Sequence, residues 1–146
     1  MIVKNKLGLI TRVGATAALA AGLAVAIQPT AMAASPVIAV SPTSSLTDGQ
    51  QVAITASGLT PNTVFHIGQC AVVEPGKFGC DKTTSKDVVS DAKGNINTTL
   101  TVHQTFQAVV SADGPVWGTV NAKVTQSQAV VLSNVGEGGG QPLTFK

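Results

Sequence analysis

The sequence predicts an all-β fold, a seven-stranded immunoglobulin-like antiparallel β-sandwich, over residues 34–146. Apolar residues in this region alternate with Thr, Ser and Asn at a period of two, which is the spacing of a strand with one buried face. Short groups of Gly, Pro, Asn and Asp separate the alternating segments, and these residues favour turns for backbone reasons. Seven or so short strands in about 110 residues are typical of a two-sheet sandwich.

Seven segments are predicted to form the strands. In chain order they are 37–41, 52–56, 64–67, 96–102, 117–124, 129–132 and 142–145. The alternation is clear in the second segment, where Val52, Ile54 and Ala56 share one face. The glycine-rich run at 136–140 is expected to be a flexible loop before the last strand.

Residues 1–33 have the pattern of an export signal peptide. Three basic residues stand in the first 12 positions, and an uncharged apolar run of 15 residues follows at 13–27. About 20 apolar residues are needed to span a bilayer as a helix, so this run is too short for an anchor. The small residues at 31 and 33 suit a signal peptidase. We therefore expect cleavage near Ala33, a secreted protein and a single mature domain, 34–146.

The mature domain has few charged residues. It contains six lysines, no arginine and seven acidic residues, because three of the nine basic residues lie in the leader. Tight DNA binding usually needs basic patches in which arginine is prominent. The domain is therefore not expected to bind DNA tightly through its own side chains.

Cys70 and Cys80 are the only cysteines of the chain. In an exported protein such a pair is expected to form a disulfide, and closing so short a loop stabilises the fold by about 3 kcal/mol in the chain-entropy model. Val72 and Phe78 lie near the tip of this loop. They either fold onto the core or line a pocket, and the sequence alone slightly favours the core.

Patterns for catalysis and metal binding are weak. His66 and His103 lie in or beside predicted strands. That both are exposed or edge residues without a catalytic role is the simpler interpretation. The chain contains neither G-x-S-x-G nor a His-x-x-x-His or Cys-x-x-Cys pair, which are patterns of nucleophilic and metal sites. We therefore expect neither an enzyme nor a metal site.

Several short motifs follow one another in a defined order along the mature domain. They are Leu46-Thr47-Asp48-Gly49, Ile67-Gly68-Gln69-Cys70-Ala71, Asp91-Ala92-Lys93-Gly94, Trp117-Gly118-Thr119-Val120 and Leu143-Thr144-Phe145. With the leader, this order resembles the neocarzinostatin family, the enediyne-binding apoproteins secreted by actinomycetes. The resemblance covers essentially all of the mature region. It implies the seven-stranded sandwich and a non-covalently bound enediyne chromophore that is sheltered by the protein and cuts DNA after release.

The resemblance also implies a ligand cleft beside the disulfide loop. Its residues would be Gly68, Gln69, Cys70, Val72, Phe78, Cys80, Ser111, Gln128 and Ser133. We expect this hollow to lie between the two β-layers, with the disulfide closing one side. DNA would be reached by the cargo rather than by the protein, which we expect to be a monomer without membrane contact.

The chain departs from the family pattern at several positions. Ala122 and Ser127 stand where family members usually have a second disulfide, and Val72, Ser85 and Ser111 stand at or near positions of bulky aromatic residues. A cleft lined this way is expected to be wider and to stack less well on an aromatic ligand. The alternative function is a secreted immunoglobulin-like interaction module without enediyne cargo. A secreted hydrolase ranks below both.

Overall fold

The structure, a computed structural model, describes residues 35–111 and 113–146. In these residues the chain forms ten β-strands and no helix. The strands are β1 (Val37–Ser41), β2 (Gln50–Ser57), β3 (Val64–Glu74), β4 (Lys77–Asp81), β5 (Lys86–Val89), β6 (Ile96–Val102), β7 (Thr105–Val109), β8 (Val116–Asn121), β9 (Ser127–Ser133) and β10 (Gly138–Leu143). The predicted leader lies outside the described residues, and among those described no helix is long and apolar enough to cross a membrane.

The strands form two antiparallel sheets. The smaller sheet has the order β1-β2-β6, and the larger has the order β10-β9-β3-β4-β7-β8. The long strand β3 changes partner along one edge, because β5 pairs with Val64–Ile67 and β4 pairs with the half that begins at Cys70. The predicted all-β antiparallel sandwich is confirmed.

The space between the two sheets is filled by the main hydrophobic core. Phe65, Ile67 and Val131 of the larger sheet pack in one cluster with Ile54 and Leu100 of the smaller sheet, and each of these residues is at most 1% exposed. The inner faces of packed sheets interdigitate in this way because alternate side chains point inward. The expectation of a hollow between the layers is therefore wrong.

A second, smaller cluster is formed by residues of the larger sheet. It contains the buried residues Ala71, Phe106, Ala108 and Val120, with Val73 packed against them. These residues come from β3, β7 and β8, so the cluster holds the hairpins of the larger sheet together. Ala71 and Val73 lie between the two cysteines, so the disulfide loop contributes to this second cluster.

The described residues form ten strands where the sequence predicts seven. The three additional strands are β4, β5 and β7, which have five, four and five residues. Their hydrogen-bonding partners are β3 for β4 and β5, β8 for β7, and a short contact between β4 and β7, which the sequence does not reveal.

The glycine-rich run is not a flexible loop over its whole length. Gly138–Gly140 belong to β10 and pair with Val130–Leu132 of β9. Gly138 has a φ of 135°, and a Cβ there would collide with the carbonyl oxygen of Val131. Glycine at this position is thus explained by a close approach of two backbones.

Candidate ligand-binding cleft

A cleft of about 800 Å³ lies on the outer face of the larger sheet. Its floor consists of cross-strand pairs of β3 and β9, namely His66 with Leu132, Gly68 with Val130 and Cys70 with Gln128. Along β3 these positions alternate with the core residues Phe65, Ile67 and Gln69, because successive side chains of a strand point to opposite faces. One face of β3 therefore packs in the core and the other carries the cleft.

Neighbouring segments raise the walls of the cleft. Phe78 and Cys80 of β4 stand on one side, followed by the segment that leads into β5. The remaining lining residues, from that segment, from the end of β7 with the residues after it, and from β10, are Lys82, Ser85, Lys86, Asp87, Val109, Val110, Ser111, Gly139 and Gly140. Ile67 and Ser133 complete the lining.

Gly68 allows the turn between β4 and β5 to come close to the floor. A Cβ at this position would collide with the hydroxyl group of Ser85. That hydroxyl donates a hydrogen bond of 2.6 Å to the carbonyl oxygen of Asp81. Rotating the hydroxyl away from a side chain at position 68 would break this hydrogen bond. The absence of a side chain at Gly68 thus shapes the cleft.

The predicted disulfide between Cys70 and Cys80 is present. The two cysteines are directly paired on neighbouring strands, with their Cα atoms 3.9 Å apart. Cys70 lies in the floor of the cleft and Cys80 in its wall. The disulfide therefore ties the wall to the floor.

Seven of the nine residues that the resemblance implies for ligand binding line the cleft. They are Gly68, Cys70, Phe78, Cys80, Ser111, Gln128 and Ser133. The structure brings them together from strands and loops that are far apart in sequence. Gln69 and Val72 lie outside the lining, for two different reasons.

Gln69 is buried on the core side of β3 and has no exposed surface. Its side-chain amide donates to the carbonyl oxygen of His103 at 2.8 Å, and its side-chain oxygen accepts from the His103 backbone N–H at 2.7 Å. These bonds hold the segment between β6 and β7. Gln69 thus supports the fold from the face opposite the cleft.

Val72 and Phe78 are cross-strand partners near the tip of the β3–β4 hairpin. Their exposed fractions are 50% and 48%, so the slightly favoured expectation that they pack in the core is wrong. Along β3, Val72 alternates with Ala71 and Val73 of the second cluster, so it lies on the opposite face of the strand. Only Phe78 borders the cleft.

The apolar and charged lining residues are not marked by any motif in the sequence. Val109, Val110, Val130 and Leu132 are aliphatic lining residues, and the charged or titratable lining residues are His66, Lys82, Lys86 and Asp87. Sequence reasoning missed their role in the cleft. The signal that could have found them is the alternation of β9, where Val130 and Leu132 lie out of phase with the core residues Ala129 and Val131.

His66 forms a hydrogen-bonded group at one end of the cleft. Its Nε2 lies 2.8 Å from the side-chain oxygen of Asn134, and its Nδ1 is bonded to the carboxylate of Asp87. The hydrogen bond to Asn134 and then that to Asp87 raise the pKa of His66 above 6.5. When the imidazole is protonated, it forms an ion pair with the Asp87 carboxylate.

A smaller cavity of about 270 Å³ lies beside the segment held by Gln69. It contains His103, whose Nδ1 lies 2.7 Å from Oδ2 of the fully buried Asp81. Within residues 35–111 and 113–146, no group of three or more His, Cys, Asp or Glu residues could hold a metal ion. The polar contacts in this cavity are hydrogen bonds within the protein.

The family model of the neocarzinostatin family matches residues 38–145 of the chain. This protein belongs to the neocarzinostatin family. The resemblance stated from the sequence is thus confirmed. The match spans all ten strands except the first residue of β1.

Individual members of the neocarzinostatin family agree with this assignment. The chain is 50% identical over 144 residues to macromomycin of Streptomyces macromomyceticus, covering 99% of both chains. It is 34% identical over 128 residues to the antitumor antibiotic C-1027 apoprotein of Streptomyces globisporus, covering 88% of this chain and 83% of that one. The solved structure of macromomycin superimposes with a TM-score of 0.75 at 55% identity, covering 77% of this chain and all of that chain.

Ala122 and Ser127 stand where the family resemblance implies a second disulfide. Both are buried, with exposed fractions of 7% and 0%. The Ser127 hydroxyl accepts a hydrogen bond of 3.2 Å from the side-chain amide of Gln69, and the Ala122 backbone N–H donates to the carbonyl oxygen of Gln104 at 2.7 Å. Hydrogen bonds and packing therefore hold this part of the neocarzinostatin fold.

Proposed function

We propose that this protein is a secreted carrier apoprotein that binds a labile, apolar chromophore of the enediyne type and protects it until release. One observation carries the proposal: the cleft of about 800 Å³ on the outer face of the larger sheet, whose surface is mostly apolar. Ligand sites for small molecules typically have about 300–1,000 Å³ and a few polar groups in an apolar lining. The residues present therefore fit a chromophore of that size and class.

Protection requires binding and exclusion of solvent, and no bond is made by the protein. The floor of the cleft is a continuous sheet, so its backbone N–H and C=O groups are bonded to neighbouring strands and are not reactive partners. Phe78, Val130 and Leu132 offer apolar contact to one face of a guest. The cargo leaves by dissociation, and we infer that the protein is not an enzyme.

Secretion after removal of residues 1–33 is part of the proposal. The curated macromomycin sequence covers 99% of this chain, while the solved macromomycin chain covers 77% and is matched in full. The part of this chain that the macromomycin sequence matches but the solved macromomycin chain does not is about as long as the predicted leader. This supports a mature domain that begins near Ala34.

DNA damage would come from the released cargo, and the protein would act as a monomer. The mature region has six lysines, no arginine and seven acidic residues, which disfavours a basic surface for phosphates. Residues of a single chain supply the floor and the walls of the cleft, which is compatible with a monomeric carrier.

The direct test is to purify the protein from the culture filtrate of its native producer. We expect a co-purifying chromophore that absorbs at longer wavelength than the protein, and a mature N-terminus close to residue 34. Removing the chromophore with organic solvent should leave a folded apoprotein that binds the extracted chromophore again. The extracted chromophore, freed of protein, should cleave plasmid DNA.

A different outcome would favour the alternative, an interaction module without enediyne cargo. This would be an apoprotein that purifies without any chromophore and also fails to bind chromophores extracted from producers of other family members. The variant Val130→Arg tests whether the cleft is the binding site, because it places a charge in the floor. It should abolish rebinding of the extracted chromophore.

A further inference from the structure

One corner of the cleft contains two lysines without an acidic partner. Lys82 and Lys86 both line the cleft. Within residues 35–111 and 113–146, neither forms an ion pair within 4.0 Å. Asp87, the acidic residue of the lining, is bonded to His66 instead. We call Lys82, Ser85 and Lys86 the lysine corner.

The lysine corner is positively charged, whereas the domain as a whole has a slight excess of negative charge. Residues 34–146 have more acidic residues than lysines, seven against six. The cleft lining nevertheless holds two of these lysines and one acid that is already paired. Apolar walls beside a charge lower the local dielectric constant and strengthen its field. The corner therefore favours an anionic group over a neutral or cationic one.

The backbone between the two lysines is held in place by Asp81. Its carboxylate accepts hydrogen bonds from the backbone N–H and the hydroxyl of Thr83, at 2.9 and 2.7 Å, and from the Thr84 hydroxyl at 3.1 Å. The Ser85 hydroxyl donates to the Asp81 carbonyl oxygen. A backbone that is already ordered reduces the entropy lost when the lysines engage a ligand.

We propose that the cargo of this cleft is an apolar molecule with one anionic group, such as a carboxylate or a phenolate, which binds at the lysine corner. The proposal rests on the proposed carrier function and names the chemical class of its cargo. The apolar part of the molecule covers Val130 and Leu132, and Phe78 borders it. The anionic group binds at the ammonium groups of Lys82 and Lys86, which both line the cleft.

Two fluorescent probes with nearly the same ring system test this proposal on the mature protein. 1-Anilinonaphthalene-8-sulfonate carries one anionic group, and N-phenyl-1-naphthylamine has none. We expect the sulfonate probe to bind more tightly than the neutral probe at low ionic strength. Raising the salt from about 20 mM to about 300 mM should weaken only the sulfonate probe, because salt screens partly exposed charges.

Paired lysine variants separate the corner from the net charge. Lys82→Gln with Lys86→Gln should weaken the sulfonate probe about three- to tenfold, as expected for two partly exposed charge contacts, and should leave the neutral probe unchanged. The control, Lys93→Gln with Lys123→Gln, removes the same charge at exposed positions outside the lining. It should change neither affinity.

The outcomes distinguish the anion site from the carrier function. If the neutral probe binds and Phe78→Ala weakens it, but the corner variant leaves the sulfonate probe unchanged, the cleft binds apolar guests and the anion proposal is overturned. Equal weakening of the sulfonate probe by both lysine pairs overturns it as well. If neither probe responds to Phe78→Ala or Val130→Arg, the carrier function fails together with the anion site.

Discussion

The imidazole of His103 and the carboxylate of Asp81 form a hydrogen bond of 2.7 Å between the end of β6 and the end of β4. Asp81 has no exposed surface, and it follows the disulfide cysteine Cys80 directly. The same carboxylate holds the turn that bears the lysine corner. One buried acid therefore connects the sandwich with the wall of the cleft.

Asp81→Asn should lower the free energy of unfolding at pH 7 by about 1–3 kcal/mol. The reason is that His103, Thr83 and Thr84 lose the charged carboxylate that accepts their hydrogen bonds. Burial of Asp81 opposes its ionisation, but hydrogen bonds from His103, Thr83 and Thr84 outweigh it and hold the pKa of Asp81 below 3.8. The stabilisation is thus present above the unfolded pKa and is lost as pH falls through the lower, folded pKa. Urea unfolding between about pH 2 and about pH 7 should show the two proteins converging in acid. Asp113→Asn, at an exposed aspartate, is the control and should unfold like the wild type.

Replacing both cysteines by serine should lower the free energy of unfolding by about 2–4 kcal/mol. The bridge ties the floor of the cleft to its wall, so the variant should also release N-phenyl-1-naphthylamine faster. Thermal melting and stopped-flow dilution measure the two effects. Loss of stability with unchanged release would show that the wall is held by the strand pairing alone.

Phe78→Ala should speed the release of the neutral probe about fivefold, because the alanine side chain covers less of the probe's apolar surface, and should change thermal stability little. Phe78 is 48% exposed and borders the cleft. Its cross-strand partner Val72 is 50% exposed and lies outside the lining. Val72→Ala is therefore a control for the hairpin and should leave release unchanged. Equal effects of the two variants would contradict a specific role of Phe78 in the cleft.

Gly94→Ala should destabilise the protein by more than about 1 kcal/mol, and Gly76→Ala should cost less. Both glycines have positive φ, 78° and 77°. A Cβ at Gly94 would collide with the carbonyl oxygen of Leu59, whereas a Cβ at Gly76 would meet nothing within 4 Å. The free energies of unfolding of the two variants are measured by chemical denaturation. Their difference gives the cost of the steric collision at Gly94, because both variants place alanine at a positive φ. Similar losses would show that φ alone determines the penalty.

The His66 imidazole should titrate with a pKa above 6.5 in an NMR pH series, because Asn134 and Asp87 favour its protonated form. Asp87→Asn should move this pKa downward. A raised pKa stabilises the fold below the unfolded pKa, and the contribution is lost as pH rises through the folded pKa. Because the His66 side chain is 52% exposed, the stability effect should be small. A pKa of His66 unaffected by Asp87→Asn would contradict the observed contact.

Much of the fold could be predicted from the sequence because strands with one buried face alternate visibly. Val52, Ile54 and Ala56 are buried as their spacing indicates. The glycine strand β10 could not be predicted, since glycine favours turns locally and only the approach of β9 explains Gly138. Short strands such as β4 and β5 depend on their partners in the same way.

By itself, the sequence determined the all-β class, the disulfide partners and the family, because each depends on residue types and their order along the chain. Tertiary structure alone decided which face of the larger sheet carries the cleft. The same alternation predicts two faces for β3, and pairing with β9 and packing against the smaller sheet bury Phe65 while leaving Gly68 on the outer face. It also decided that Gln69 supports the fold from the core side, since its contact with His103 arises only when distant strands pack together. Lys82 and Lys86 are near each other in sequence, but only the pairing of β5 with β3 places them on the cleft.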